Sequence, residues 1–518
     1  MKFTKVLLSL CVVAMLMFPA VSTFAAGGTI VYGTTDKVTD MDPASAYDFH
    51  TWEIFYNIYQ GLLTYPPGET VIVPGLAESY TTSDDGLEYT FKLREGLTFT
   101  DGTPFNAEAM KWSIDRVFAL AGDPSWLVTD FVDSVEVVSE YEMKFILKNA
   151  VAYFPALVAT VPYYPVNPNV YPADKIIRDP SELIGGQLVG LGPYKVASFK
   201  RDEEVILEAN PDFYGEKPKN DRVVIRYFAD ATTMRLALEK GEVDVIFKSL
   251  NPSDIADLEK SEDVLTVKAQ GPAIRYICMI ADEEPFKNTV LRQAMAAAVN
   301  RPEIIQKVFL GQNEPLYSMV PMGMWSHTDT FKEVYGDANI EKTKELLASQ
   351  GYNEENPFEF ALWYTPSHYG DSEVDLAAVL KNQLEATGVM KVEVKSAEWA
   401  TYKDNFDDKT MPMFLLGWYP DYIDPDNYTT PWAGTTGSVG MGIYFSDPVW
   451  DAKLVEAQTT PGMEKRTAIY EELQQMWTED VMTIPLYQSS LYLFTQKNIS
   501  GVMVSPTMQF NYGPIEMK

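Results

Sequence analysis

Alternating apolar and polar positions predict a strand-rich segment in the first half of the chain. Residues 87–93 alternate apolar and polar side chains, the period of two that buries one face of a strand. Residues 143–147 repeat this alternation after 135–137, across a short polar turn. We therefore expect residues 61–184 to form a strand-rich subdomain with hairpins.

Later segments change to a strand–helix–strand order. The apolar stretch 222–227 precedes Asp230, a good helix N-cap, and Gly241 ends the helical pattern before a second apolar stretch at 243–247. The same order recurs over residues 358–396. Alternating strands and helices are typical of parallel α/β units, so we expect an α/β protein with two parallel-type sheets in separate lobes.

The N-terminus has the pattern of a signal peptide. Lys2 and Lys5 precede an apolar run over 6–21, which ends in small residues, so we expect residues 1–25 to be cleaved. Cys11 follows a Leu where a lipid-attachment box requires a small residue, and lipidation is not expected. Since no later run approaches the roughly 20 apolar residues of a membrane span, we expect a periplasmic or other extracytoplasmic protein.

The charge balance excludes more functions than it identifies. The chain carries 41 Lys and Arg against 73 Asp and Glu, and losing Lys2 and Lys5 leaves 39 against 73, a net charge of −34. Such an acidic protein is not expected to bind nucleic acid. Only Cys278 remains after processing, so no intrachain disulfide is expected. A chain of roughly 490 residues should divide into two or three domains.

The sequence contains none of the common catalytic or metal-binding motifs. There is no P-loop, no H-E-x-x-H and no G-x-S-x-G. The three histidines, His50, His327 and His368, are far apart and have no second ligand at metal-binding spacing. We therefore expect no cofactor, no metal site and no enzyme activity, with an exported hydrolase as the alternative from another functional class.

One loop concentrates acidic and aromatic residues. Residues 417–428 read GWYPDYIDPDNY and follow an apolar strand, at the kind of strand end where α/β proteins bind ligands. Asp424 and Asp426 are interpreted as solvated acids of an Asp-Pro turn. Asp421 is different because neighbouring aromatic residues can shield it from water. It is a candidate partner for a ligand cation, and an intramolecular ion pair is the alternative.

Motifs spread over nearly the whole chain beyond residue 25 carry a family resemblance. They read YQGLL, PGLAES, DGLEYTFKLREGLTFTDGTPFNAEAMKWSIDRV, NPDFY, RLALEKGEVDV, PFKNTVLRQAMAAAVNR and WYPDYIDPDNY. With these motifs the chain resembles the family 5 extracellular solute-binding proteins of ABC transporters, a group of peptide-, oligopeptide- and nickel-binding proteins.

The resemblance implies a two-lobed periplasmic-binding-protein fold of type II, similar to cluster C, with an extra strand-rich subdomain. The implied boundaries are lobe I at 26–60, 185–270 and 487–518, its subdomain at 61–184, and lobe II at 271–486. Crossover strands between the lobes are expected near 268–276 and 484–492.

The implied function is to bind a small-molecule ligand by hinge closure and to deliver it to the permease subunits of an importer. The expected ligand is a short peptide, an oligopeptide rather than a strict dipeptide, and the expected protein is a monomer. An oligosaccharide receptor that uses the 10 Trp and 30 Tyr for stacking is the alternative, and nickel binding is a weaker one.

The resemblance also implies a set of ligand-binding residues. They are Asp421, Trp418, Tyr419, Gly417, Trp399, Tyr369, His368, Thr35 and Val38. Asp421 matches the acid that holds a peptide's amino terminus, and the backbone of Gly417 and Tyr419 would pair with the peptide. Trp399 and Trp418 match positions that line side-chain pockets, with core packing as their alternative. Residues 35–39 match the segment of lobe I that meets the ligand.

One departure from the family pattern concerns the ligand carboxylate. Dipeptide binders carry Arg-Pro-Tyr where this chain reads TPSHYGDSE, which supplies His368 and Tyr369 but no Arg. A neutral His cannot make the bidentate, permanently charged contact that Arg makes with a carboxylate. A longer peptide whose carboxylate lies elsewhere, or a non-peptide ligand, is therefore favoured over a strict dipeptide.

Overall fold

The computed structural model describes residues 27–504, 507 and 509–518 of the chain. The expected signal peptide at 1–25, with Cys11, lies outside these residues. Within them, no helix combines the length and the apolar character needed to cross a membrane.

The strands, in chain order, are β1 (Thr29–Thr34), β2 (Leu63–Thr64), β3 (Val73–Pro74), β4 (Ala77–Thr82), β5 (Glu88–Leu93), β6 (Val132–Ser139), β7 (Glu142–Leu147), β8 (Tyr194–Lys200), β9 (Glu204–Ala209), β10 (Arg222–Tyr227), β11 (Val245–Phe247), β12 (Val264–Met279), β13 (Glu314–Pro315), β14 (Phe358–Tyr364), β15 (Met390–Ser396), β16 (Met413–Trp418), β17 (Thr483–Gln496), β18 (Ile499–Ser500) and β19 (Glu516–Met517).

The α-helices are α1 (Phe49–Ile58), α2 (Ala107–Leu120), α3 (Trp126–Thr129), α4 (Phe154–Val158), α5 (Ala231–Glu239), α6 (Pro252–Leu258), α7 (Thr289–Ala298), α8 (Arg301–Phe309), α9 (Thr330–Tyr335), α10 (Ile340–Ser349), α11 (Ser372–Ala386), α12 (Trp399–Asp407), α13 (Thr430–Ala433), α14 (Thr435–Gly440), α15 (Pro448–Thr459) and α16 (Met463–Asp480). Short 3₁₀ turns occur at Asp123–Ser125, Val161–Tyr163, Pro180–Glu182 and Pro425–Tyr428.

The strand–helix–strand prediction is confirmed for both segments. Strand β10, helix α5 and strand β11 follow one another, and the Asp230 side chain accepts a hydrogen bond from the Thr233 backbone N–H as the helix N-cap. Strand β1 lies between β10 and β11 and pairs in parallel with both. Strands β14 and β15 also pair in parallel, with α11 between them in the chain.

The expectation of two separate sheets is wrong. Most of the described strands join one sheet in the order β15-β14-β16-β12-β17-β11-β1-β10-β9-β8, with β13 against β17. The reason is the length of β12 and β17, 16 and 14 residues, which pair antiparallel and reach the strands on both sides. The crossovers expected near 268–276 and 484–492 fall within these two strands.

A separate antiparallel sheet, β4-β5-β7-β6, covers part of the region expected to be strand-rich. The alternation predicted from the sequence places Tyr89, Phe91 and Leu93 in the core, together with Met143 and Phe145 of the paired strand. This sheet is joined to α2 and α4, so the region is mixed rather than all β.

The molecule has two large hydrophobic cores. The first core is built mainly from residues 30–227, with contributions from 491–515. The second core is built from residues 274–487. Strands β12 and β17 run between them, and their pairing register shifts between Gln270 and Ile274. The lobe boundaries given above remain a prediction.

Candidate functional site

The loop that follows β16 connects the two cores. Strand β16 belongs to the second core, whereas Tyr422 is buried in the first. The Tyr422 ring stacks on Tyr153, with centroids 5.2 Å apart and planes 3° apart. The exposed Tyr419 ring lies 5.3 Å from the ring of Phe49, at the start of α1. The loop is therefore placed where a molecule between the cores would contact it.

Asp421 lies at the centre of this loop and is held from both sides. The Tyr47 hydroxyl donates a hydrogen bond of 2.6 Å to Asp421 Oδ1. Asn427 Oδ1 accepts hydrogen bonds from the Asp421 backbone N–H at 2.9 Å and from Trp418 Nε1 at 3.2 Å. Part of the residue remains accessible, but the carboxyl atom Oδ2 is buried and has no hydrogen-bond partner in the described part of the chain.

The electrostatics of Asp421 favour a cationic partner. Burial raises the pKa of the Asp421 carboxyl to about 6, against the lowering effect of hydrogen bonds from Tyr47 and the loop. A buried carboxylate without a counter-charge is costly, and an ammonium group beside Oδ2 would relieve that cost. The intramolecular ion pair that the sequence left open for Asp421 does not occur among the described residues.

The interpretation of Asp424 and Asp426 as solvated acids is wrong. Asp424 begins the 3₁₀ turn, as the Asp-Pro sequence indicates, but only 5% of it is exposed because Arg466 binds it through two hydrogen bonds of 2.6 and 2.8 Å. Asp426 is also buried and accepts hydrogen bonds from Tyr422 and Thr430. Both acids fix the loop that presents Asp421.

A second group of expected residues lies near the end of β16. The His368 ring stacks on Trp399 at 3.8 Å, with the planes 3° apart. The Tyr369 hydroxyl donates a hydrogen bond of 3.3 Å to the carbonyl oxygen of Gly417. Burial lowers the pKa of His368, and the positive charges of Arg275 and Lys403 lower it further. His368 is therefore neutral near pH 7.

Arg275 was not identified from the sequence, although the structure places it within this group. It lies on β12 opposite Gly417, is 6% exposed, and covers the Tyr369 ring at 3.6 Å. Its Nε donates a 3.1 Å hydrogen bond to Oε1 of the buried Glu373. The sequence did contain a sign of this role, because Arg275 is the only charged residue in the apolar stretch 272–281. A charge on a strand in a protein core requires a partner.

The residues expected on the lobe I side lie near the end of β1. Thr35 directly follows β1 and is half-buried. Val38 is buried in the first core, and its carbonyl oxygen accepts a 3.0 Å hydrogen bond from Arg201. The backbone oxygen of Val38 is thus engaged within the protein.

Residues of the loop line several cavities. The cavity that includes Asp421 is only about 20 Å³. A larger cavity, about 500 Å³, is lined by Tyr153, Pro155, Met322 and Trp325, and by Ile423 of the loop. Its volume and apolar lining suit a small ligand. Another cavity, about 210 Å³, is lined by Arg275 and by Tyr419 of the loop.

The structure divides the expected site residues into four groups. Gly417 contacts Tyr369, Tyr369 contacts His368, and His368 stacks on Trp399. Trp418 and Asp421 both hydrogen-bond Asn427. Tyr419 faces Phe49, and Thr35 and Val38 follow β1. Over the described ranges, no group of three His, Cys, Asp or Glu side chains could hold a metal ion.

The chain matches a known protein family. Residues 71–440 match the family model for bacterial extracellular solute-binding proteins, family 5. Among curated proteins, the chain is 25% identical to di/tripeptide-binding protein 2 of Pseudomonas aeruginosa, over 94% of this chain and 95% of that protein. It is 27% identical to heme-binding protein A of Haemophilus influenzae, over 93% and 91% of the two chains.

A solved structure shares the fold. The ABC transporter substrate-binding protein CtaP from Listeria monocytogenes superposes with a TM-score of 0.83 and 24% identity, over 95% of this chain and all of that one. The two-lobed α/β fold expected from the sequence is therefore confirmed. Since the family model covers well over half of the chain, the protein belongs to the bacterial extracellular solute-binding proteins of family 5.

Proposed function

We propose that the protein is the extracytoplasmic substrate-binding component of an ABC importer, and that it captures a short peptide between its two cores and delivers it to the permease. The observation that carries this proposal is Asp421. Its buried Oδ2 lacks a hydrogen-bond partner in the described chain, and its loop spans the two cores. A peptide's amino terminus supplies the charge and the hydrogen-bond donors that this oxygen lacks.

The names of the relatives support a peptide ligand without deciding it alone. One relative is named for di- and tripeptides and another for heme. The site itself favours the peptide, because a buried acid of raised pKa pairs with an ammonium group, whereas heme presents carboxylates that Asp421 would repel. An oligosaccharide has no cation for this acid, so the site disfavours the sugar alternative.

Contacts between the cores support the proposed closure over the ligand. Tyr47 contacts Asp421, Phe49 contacts Tyr419, and Tyr153 stacks on Tyr422, each pair joining the α1 side or the strand-rich region to the loop. A ligand that bridges the same elements stabilises the closed arrangement by its differential contacts. The permease then distinguishes loaded from empty protein by the relative position of the two cores.

The test uses protein stripped of ligand by unfolding and refolding, and then incubated with a casein digest. Mass spectrometry of the retained material should find short peptides, recovered intact at one per protein. Asp421→Ala should weaken binding of a retained peptide by at least about tenfold, since losing one member of a buried charged pair costs about 2–5 kcal/mol.

Two controls make this experiment decisive. Asp408→Ala removes an exposed acid from the end of α12 in the same half of the molecule and should leave affinity unchanged. N-acetylation of the retained peptide should weaken binding as much as Asp421→Ala does. Unchanged affinity of the Asp421 variant would refute the assigned role, and recovery of cleaved peptides would refute a purely binding function.

A further inference from the structure

The cavity of about 210 Å³ beside Tyr419 is lined partly by polar and charged side chains. It is lined by Leu250 and Tyr369, and by Tyr487, Ser489, Ser490 and Tyr492 of β17. Arg275 lines it from β12 and is nine-tenths buried. A charged side chain this buried beside an open cavity needs a chemical reason, because desolvating a guanidinium is costly.

The pairing of Arg275 leaves room for another anion. Glu373 accepts from Nε through Oε1 alone, and Glu373 Oε2 has no hydrogen-bond partner among residues 27–504. The Tyr487 side chain lines the same cavity as Arg275. A guanidinium presents five N–H donors, so Glu373 does not exhaust it.

Gly417 allows the guanidinium to occupy its position. A Cβ on Gly417 would lie 1.3 Å from Arg275 Nη1, so no other residue fits opposite Arg275 without moving the charge. The stack of Arg275 on Tyr369 fixes the guanidinium plane from the opposite side. The charge is therefore held rigidly in place, as a binding site requires.

Two serine hydroxyl groups also line this cavity. Ser489 and Ser490 both line it, and the Oγ atom of each is buried without a hydrogen-bond partner in the part of the chain that the structure describes. An unsatisfied buried polar group typically costs about 1–3 kcal/mol. A carboxylate has about four acceptor sites, enough for two hydroxyls and an Arg.

We propose that this cavity binds the C-terminal carboxylate of the peptide whose amino terminus pairs with Asp421, with Arg275, Ser489 and Ser490 as the donors. The inference deepens the proposed function and rests on it. The sequence has no Arg next to Tyr369, but in the structure the Arg275 guanidinium reaches Tyr369 from β12.

This assignment limits the length of the ligand. Arg275 lies opposite Gly417, and Asp421 is four residues further along the chain. At no more than about 3.6 Å per residue, the Cα atoms of Gly417 and Asp421 are at most about 14 Å apart. An extended peptide of two to four residues covers this span, so we expect pentapeptides and longer peptides to bind weakly.

The test measures binding of a pool of tripeptides, Ala-Xaa-Ala with all twenty residues at Xaa, by native mass spectrometry. The pool is used as free acids, as C-terminal amides and in N-acetylated form. Wild-type protein should bind the acids at least about tenfold more tightly than the amides. Ser489→Ala with Ser490→Ala should reduce this preference several-fold while leaving the Arg275–Glu373 pair intact.

A second variant removes the charge without leaving its partner unpaired. Arg275→Gln combined with Glu373→Gln should bind acids and amides alike, and Arg222→Gln, a change on the distant strand β10, should bind as wild type does. If acetylation abolishes binding but amidation does not, the carboxylate site is wrong and the proposed function stands. If no form of the pool binds, both are overturned.

Discussion

Replacing Asp421 with Asn is expected to stabilise the ligand-free protein at neutral pH while it weakens peptide binding. Burial raises the pKa of the Asp421 carboxyl from 3.8 to about 6. Each tenfold change in proton affinity corresponds to about 1.4 kcal/mol, so the ionised carboxyl costs the folded state up to about 3 kcal/mol at pH 7. Asn mimics the protonated side chain and avoids this cost.

The sign of the effect depends on pH in a defined way. A raised pKa in the folded protein contributes stability below the unfolded value, near 4, and that contribution is lost as pH rises through 6. The free energy of unfolding of the variant should therefore be about 1–3 kcal/mol higher than that of wild type at pH 7. The difference should shrink between pH 6 and pH 4 and vanish below that range.

Urea unfolding of ligand-free protein at pH 7, 5 and 4 measures this difference. Bound peptide must first be removed, since ligand that binds only folded protein would mask the gain. Asp408→Asn, an exposed acid on the same half, is the matched control and should show no gain. A variant that is less stable than wild type at pH 7, or a gain that is equal at all three pH values, would refute the reasoning.

Three further predictions use other parts of the site. Peptide affinity should fall about tenfold per pH unit below pH 6, because protonation removes the charge of Asp421; titration calorimetry between pH 4.5 and 7.5 checks this. Gly417→Ala should displace Arg275, lower stability by about 1–3 kcal/mol and abolish the preference for free acids over amides, whereas Gly440→Ala, in open space, should do neither. Asp424→Asn should destabilise the protein by about 3–5 kcal/mol in thermal unfolding, because it leaves Arg466 buried and uncompensated; retention of wild-type stability would contradict this.

The local elements could be predicted because their signals are local. Asp230 caps α5 within three residues, and the alternation over 87–93 defines β5 without reference to any other part of the chain. The placement of β1 between β10 and β11 could not be predicted in this way, because about 190 residues separate β1 from β10 and many strand orders satisfy the same pattern.

The part of the site that could be predicted is the part formed by a single loop. Asp421 and its aromatic neighbours are adjacent in sequence, so their clustering was visible. Asp424 was misjudged because its partner, Arg466, lies 42 residues away and turns a surface acid into a buried ion pair. Arg275 was missed for the same reason, since Glu373 is 98 residues distant. Burial of charge depends on the partner, and the partner depends on the fold.

The two proposed ends of the ligand site should contribute unequally to affinity. Among the described residues, Asp421 has no counter-charge, whereas Arg275 already has Glu373. An arriving ammonium group therefore relieves a cost that the empty protein carries, while an arriving carboxylate shares a guanidinium that is already neutralised. N-acetylation of a tripeptide should consequently weaken binding more than C-terminal amidation does, by at least about threefold in Kd. Equal losses would mean that Glu373 does not neutralise Arg275 in the empty site.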